Sequence, residues 1–224
     1  ITCRDWSSDV CSSDLGTRYT VTPNNLLSDV QTFTQQQGQA RVMSFADLSN
    51  YSWAEKEIQE LFESRVINGI SDNEFAPEKK ITRADFVILL VRLMNISTDI
   101  TENFADVTSD KYYYKEIGAA KVMGMVMGNG YNTFSPEESI SRQDMFVLAY
   151  RVLVMKGIIT ATDSLEPLKQ FSDFDEIDDY AHDALSALVG KDLIKGFDNK
   201  IYPKNGATRA ETAVFVHRLK EFIR

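Results

Sequence analysis

The chain has 224 residues, 24 Lys and Arg against 33 Asp and Glu (24 − 33 = −9), 43% apolar residues and two cysteines. That balance describes a folded acidic protein with room for one or two domains. It excludes an intrinsically disordered chain, and nine excess negative charges disfavour a nucleic-acid backbone as partner. The longest unbroken apolar run in the periodic part, Phe86 to Val91, stops at Arg92, far short of the ~20 residues of a membrane helix.

The chain opens Ile1-Thr2-Cys3-Arg4-Asp5-Trp6, without an initiator Met and without the basic start and apolar stretch of a secretory signal. Residues 1–15 read as the translated product of a sequencing-library adapter, with the natural N-terminus missing. Setting them aside removes Cys3 and Cys11, and with them the material for a disulfide or a thiolate metal site. Residues 16–44, rich in Thr, Gln and Asn, read as a linker or the remnant of an upstream domain.

From residue 45 the chain repeats itself. Three segments open Phe45-Ala46-Asp47, Phe104-Ala105-Asp106 and Phe171-Ser172-Asp173, and each has an arginine 38 positions later, Arg83, Arg142 and Arg209. Six residues before each arginine stands a proline (Pro77, Pro136, Pro203), preceded closely by an aromatic residue (Phe75, Phe134, Tyr202). Six residues before those aromatics stand Gly69, Gly128 and Gly196, and eleven before the glycines Ile58, Ile117 and Leu185. In this alignment the third copy gains one residue before its first helix and loses one between Tyr202 and Pro203. The three copies span residues 45–94, 104–153 and 171–224.

Each copy predicts helix, loop, helix. In the first, Trp53, Ile58, Leu61, Phe62 and Val66 follow helical spacing and Asn68-Gly69 supplies a stop. Ser71 to Pro77 forms a loop, and an almost wholly apolar helix follows Thr82. Thr82 with Asp85, Ser141 with Asp144 and Thr208 with Glu211 fit the Ser/Thr-x-x-acid cap. Helices this apolar need burial, so the three second helices are expected to pack on one another. The fold class is all-α, a pseudo-threefold body around a central three-helix bundle.

The arginines sit where a helix dipole disfavours a cation by up to ~1 kcal/mol, and the chain makes that choice at Arg83, Arg142 and Arg209. One reading pairs them with nearby carboxylates such as Asp47 or Glu78. The other, favoured by threefold recurrence, is an anion site in which the guanidinium and free helix N–H groups grip a carboxylate.

These residues resemble the S-layer homology domain in its tandem of three, over Phe45 to about Arg224. The resemblance implies a three-pronged spindle that anchors exported proteins, outside the cell, to the bacterial wall of Gram-positive type. Its implied ligand is a secondary wall polysaccharide, linked to peptidoglycan and carrying ketal-linked pyruvate, lying in grooves between adjacent repeats. The family's Thr-Arg-Ala-Glu arginine carries over to Arg83, Arg142 and Arg209. Copy three keeps the tetrad as Thr208-Arg209-Ala210-Glu211, copy one departs at Asp85, and copy two reads Ser141-Arg142-Gln143-Asp144, where Gln143 is expected to alter the groove.

Further candidates have two uses each. Gly69, Gly128 and Gly196 either let backbone approach sugar or serve turn geometry. Trp53, Tyr112 and Tyr180 either stack on a sugar ring or pack in the core, the plainer use. Asp47, Asp106 and Asp173 either bond glycan or arginine, or cap the first helix. In Tyr112-Tyr113-Tyr114 at least one ring should be exposed. His182 and His217 read as surface side chains, with no metal or cofactor expected. No carboxylate pair, nucleophile or phosphate loop is legible, so the chain is not read as an enzyme, although an upstream region is free to be one. The alternative function is a helical protein-interaction or S-layer lattice module with structural arginines, in contact with S-layer neighbours.

Overall fold

The computed structural model describes residues 43–160 and 164–224. The readings of residues 1–15 and of all but the last two positions of 16–44 lie outside the described residues. Six α-helices follow in order: α1 (Ser52–Glu63), α2 (Arg83–Leu93), α3 (Tyr114–Val122), α4 (Arg142–Met155), α5 (His182–Val189) and α6 (Arg209–Phe222). Among the described residues there is no strand, only isolated bridges, so the fold is all-α as expected.

The first helix of each copy ends earlier than Gly69, Gly128 and Gly196. Helix α1 stops at Glu63, Arg65 turns left-handed (φ 61°), and the Val66 N–H returns to the Leu61 carbonyl at 2.9 Å. Gly124 and Met125 repeat this after α3, and Asp192 and Leu193 after α5. The reversal turns the apolar pairs Val66-Ile67, Met125-Val126 and Leu193-Ile194 back into the core, an energetic gain that outweighs the strain of a left-handed Arg or Asp.

Helices α2 and α4 touch at the centre, α6 packs beside α2, and Phe146 of α4 meets Phe215 of α6 edge to face with ring centroids 4.9 Å apart. Around them α1 packs on α6, α3 on α2 and α5 on α4. Each first helix therefore lies against the second helix of the preceding copy, and copy one closes on copy three. At the axis, buried Ile81, Ile140 and Ala207 form a ring of backbone hydrogen bonds: Ile140 N–H to Ile81 O (3.1 Å), Ile81 N–H to Ala207 O (3.0 Å) and Ala207 N–H to Ile140 O (3.4 Å).

The same closure satisfies the starts of the central helices. The first two N–H groups of α2 donate to Glu138 O and Pro136 O, those of α4 to Asn205 O and Pro203 O, and those of α6 to Lys79 O and Pro77 O. The third N–H of each goes to Thr82, Ser141 or Thr208, and α6 completes the capping box with Glu211. All the orphan donors that a helix start carries have protein partners. The expected supply of free N–H groups for an anion is absent at these three starts.

Asp47, Asp106 and Asp173 neither cap a helix through their side chains nor hydrogen-bond an arginine, although the charges of Asp47 and Asp173 act through space on Arg209 and Arg142. Each carboxylate accepts from two consecutive loop N–H groups of its own copy: Phe75 and Ala76 (2.7–3.1 Å), Phe134 and Ser135 (2.7–3.0 Å), Ile201 and Tyr202 (2.6–3.0 Å). This latch corrects the alignment. Ile201, not Tyr202, matches Phe75 and Phe134, while Tyr202 matches Ala76 and Ser135, all left-handed. No residue is lost before Pro203; the shorter stretch is the turn between Gly196 and Ile201, where Phe197 and Lys200 bond each other.

Candidate functional site

Three grooves open around the bundle, and each is lined by all three copies. One holds Gly69 and Asp85 of copy one, Tyr112 of copy two and Arg209 of copy three. The next holds Gly128 and Asp144 of copy two, Tyr180 of copy three and Arg83 of copy one. The third holds Gly196 and Glu211 of copy three, Trp53 of copy one and Arg142 of copy two. Nine of the twelve candidates thus meet in threes, by cyclic permutation, and the three latch aspartates lie behind the loops. The grooves were expected between adjacent repeats; the crossed packing of first helices brings in the third repeat.

The arginines tie each helix start to another copy. Nε donates to Phe134 O from Arg83 (2.9 Å), to Ile201 O from Arg142 (2.8 Å) and to Phe75 O from Arg209 (2.8 Å). Arg83 and Arg209 also lie 4.7 Å over the Phe134 and Phe75 rings, a cation–π contact. Copy three offers only Ile201 at that point, and Arg142 turns toward Phe146 of its own helix at 5.5 Å. Arg209 spends Nη2 on Asn68 O at 2.8 Å and Arg142 Nη1 lies 3.9 Å from Glu211. No buried side-chain nitrogen lacks a hydrogen-bond partner among the described residues, so the terminal amino groups that Arg83 and Arg142 leave without such bonds reach solvent. Neither Asp47 nor Glu78 pairs with an arginine; Glu78 accepts from Tyr51 at 2.5 Å. Burial lowers the pKa of Arg142 and Arg209 without discharging a guanidinium at neutral pH.

The rim aromatics are not core residues: Trp53 is 53%, Tyr112 66% and Tyr180 55% exposed. Tyr113 is the buried ring of its trio. The Tyr112 hydroxyl donates to Asp85 (2.8 Å) and that of Tyr180 to Asp144 (2.7 Å). Burial first, then the carboxylate it bonds, pushes each phenol above its ordinary pKa. Gln143 is buried and donates to both Tyr180 (2.7 Å) and Asp178 (2.5 Å). The departure from alanine in copy two therefore pins the aromatic of the Arg83 groove.

The glycines answer to packing. A Cβ would lie 2.4 Å from Phe45 at Gly69, 2.4 Å from the Thr133 carbonyl at Gly128 and 2.6 Å from Phe171 at Gly196. The opening phenylalanine of each copy, with the loop backbone, fills the space a side chain needs.

Sequence reasoning missed a second arginine series. Arg92, Arg151 and Arg218 stand nine residues after Arg83, Arg142 and Arg209 and line the Arg209, Arg83 and Arg142 grooves respectively. Their recurrence at the same intervals was the available signal. The histidines are half-buried rather than on the surface: His182 stacks on Phe174, and His217 Nε2 lies 2.7 Å from Glu60 between α6 and α1. Glu60, His217 and Glu221 bring potential metal-ligand atoms within 4.8 Å of one another, but Lys56 and Arg224 pair with these carboxylates. Those two pairs are local to each helix, and the His217 to Glu60 contact joins the last helix to the first.

The S-layer homology domain model matches three times, at residues 44–87, 103–146 and 170–213. The chain is 31% identical over 180 residues to an amylopullulanase of Thermoanaerobacterium thermosulfurigenes, covering 80% of this chain and 10% of that protein. It is 29% identical over 181 residues to the exoglucanase XynX of Acetivibrio thermocellus (80% and 16%) and 26% over 178 residues to S-layer protein EA1 of Bacillus anthracis (77% and 20%). It thus spans a fifth or less of the length of these relatives. Three matches that together cover more than half of its length place the chain in the S-layer homology domain family.

Proposed function

We propose that this chain anchors the protein that carries it to the bacterial cell wall, outside the cell, by binding a pyruvylated secondary wall polysaccharide in its grooves. The observation that carries the reading is the threefold recurrence of one constellation: a guanidinium held by its Nε, an exposed aromatic and a close-packed glycine loop. A guanidinium with terminal N–H groups facing solvent matches the two oxygens of a ketal carboxylate, and an aromatic face matches the C–H face of a sugar. On a chain of net charge −9 these cations are local and oriented. Grooves on one rigid body allow avidity to replace single-site strength.

The test is sedimentation of the full chain with purified sacculi, native or after mild acid removal of ketal pyruvate. Binding should require pyruvate and fall sharply in a variant carrying Gln at Arg83, Arg142 and Arg209. Equal sedimentation with both walls, or no loss in a folded triple variant, rejects the mechanism. The Nε bonds to backbone carbonyls favour a second reading, a protein-interaction or lattice module with structural arginines. It predicts binding to S-layer subunits regardless of pyruvate.

A further inference from the structure

The three grooves are built on one plan and are not equivalent. The Arg209 groove encloses about 210 Å³ and the Arg83 groove about 300 Å³, against about 510 Å³ for the Arg142 groove. The two smaller grooves are the ones whose rim tyrosine is hydrogen-bonded, although the doubly bonded Arg83 groove is not the smallest. Tyr180 is tied across the Arg83 groove by Asp144 and Gln143, and Tyr112 across the Arg209 groove by Asp85. Trp53 has no hydroxyl, and Glu211, the acid it faces by symmetry, turns back to the Thr208 N–H in the capping box. No hydrogen bond ties the rim aromatic of the third groove; its contact between copies is the Arg142 Nη1 to Glu211 ion pair at 3.9 Å.

Charge points the same way. The residue before the loop glycine is Asn68 in copy one, Met127 in copy two and Lys195 in copy three. The Arg142 groove therefore lines up Arg142, Arg218 and Lys195 against the single acid Glu211. The Arg83 groove sets Arg83 and Arg151 against Asp144 and Glu138. The ring of Phe197, 70% exposed, adds a second aromatic face in the same groove.

We propose that the Arg142 groove is the principal site for an acidic glycan, with Trp53 and Phe197 as sugar platforms and Lys195 and Arg218 as further carboxylate contacts, while the tyrosine latches restrict the other two. The assignment rests on the wall-glycan reading above.

The test is calorimetric titration of the full chain with a methyl hexoside bearing a cyclic pyruvate ketal, with the unsubstituted hexoside as control. The expected result is one strong site per chain, weakened by Trp53→Ala and by Phe197→Ala roughly threefold to tenfold each. Arg142→Gln should weaken it at least tenfold more than Arg83→Gln or Arg209→Gln. Trp53 and Phe197 are exposed, so their removal leaves the core intact, and unchanged circular dichroism verifies it. Tyr180→Phe combined with Gln143→Ala should free the Arg83 groove and raise the stoichiometry toward two. Two or three equal sites in the unaltered protein, or equal losses from the three arginine variants, overturns the ranking and leaves wall anchoring standing. Equal binding of the unsubstituted hexoside overturns the carboxylate mechanism, and the ranking with it.

Discussion

At the axis the three copies do one thing with the backbone; at the rims they do three different things with side chains. Ala207 is smaller than Ile81 and Ile140 yet closes the same ring of N–H to carbonyl bonds, and the helix starts around them share one pattern of donors and acceptors. Trp53, Tyr112 and Tyr180 occupy matching rim positions with no polar contact, one and two. Backbone satisfaction at the axis tolerates side-chain change, so the fold persists while the grooves diverge. The axis specifies the body, and the rims are where the three grooves differ.

The strongest way to break the axial order is through its latches. Asp173 is 3% exposed, and Asp173→Ala leaves the Ile201 and Tyr202 N–H groups without their acceptor; urea unfolding should show a loss of about 3–5 kcal/mol. Asp47→Ala, at a more accessible latch, should cost less. Next come the glycines. Gly128→Ala meets the Thr133 carbonyl at 2.4 Å with φ +73°, whereas Gly130→Ala, at φ +91°, meets nothing within 4 Å. About 2–3 kcal/mol is expected for the first and ~1 for the second, from backbone strain alone, measured by the same unfolding curves. Cap removal is smaller: Thr208→Ala, which breaks a reciprocal box, should cost about 1–2 kcal/mol and Thr82→Ala about 1.

The smallest effect is electrostatic. The hydrogen bond from His217 holds the Glu60 carboxyl below its usual pKa. A depressed folded-state value contributes stability above the unfolded pKa of about 4.3 and loses it as pH falls through the folded value. The urea midpoint should therefore fall more steeply with acidification below about pH 4 in the unaltered protein than in Glu60→Gln. Equal slopes would show that this contact between α1 and α6 adds nothing.

Much of the body was legible because it rests on local chemistry. The repeat, the apolar second helices and the Ser/Thr-x-x-acid caps are short-range patterns, and the helices and caps follow them. What escaped depends on closure. Asp47 acts 28 positions away on Phe75, and nothing near it announces that partner. Aromatic character matches Tyr202 to Phe75, whereas the latch selects the position whose N–H it can reach, and there copy three carries Ile201. Free N–H groups at the helix starts followed from reading each copy alone; the ring supplies carbonyls from another copy. The same crossing places Trp53 beside Arg142 rather than beside an arginine nearer in the chain. The second arginine series was legible by the same spacing as the first.

The cyclic closure ties ligand binding to unfolding as a single equilibrium. Because every groove takes walls from all three copies, opening any copy dismantles all three. A ligand in one groove therefore stabilises the whole ring, by about 2.7 kcal/mol when present at a hundred times its dissociation constant. The protein on its wall would resist heat and denaturant more than the same protein released from it, and detachment by local unfolding would be all-or-none.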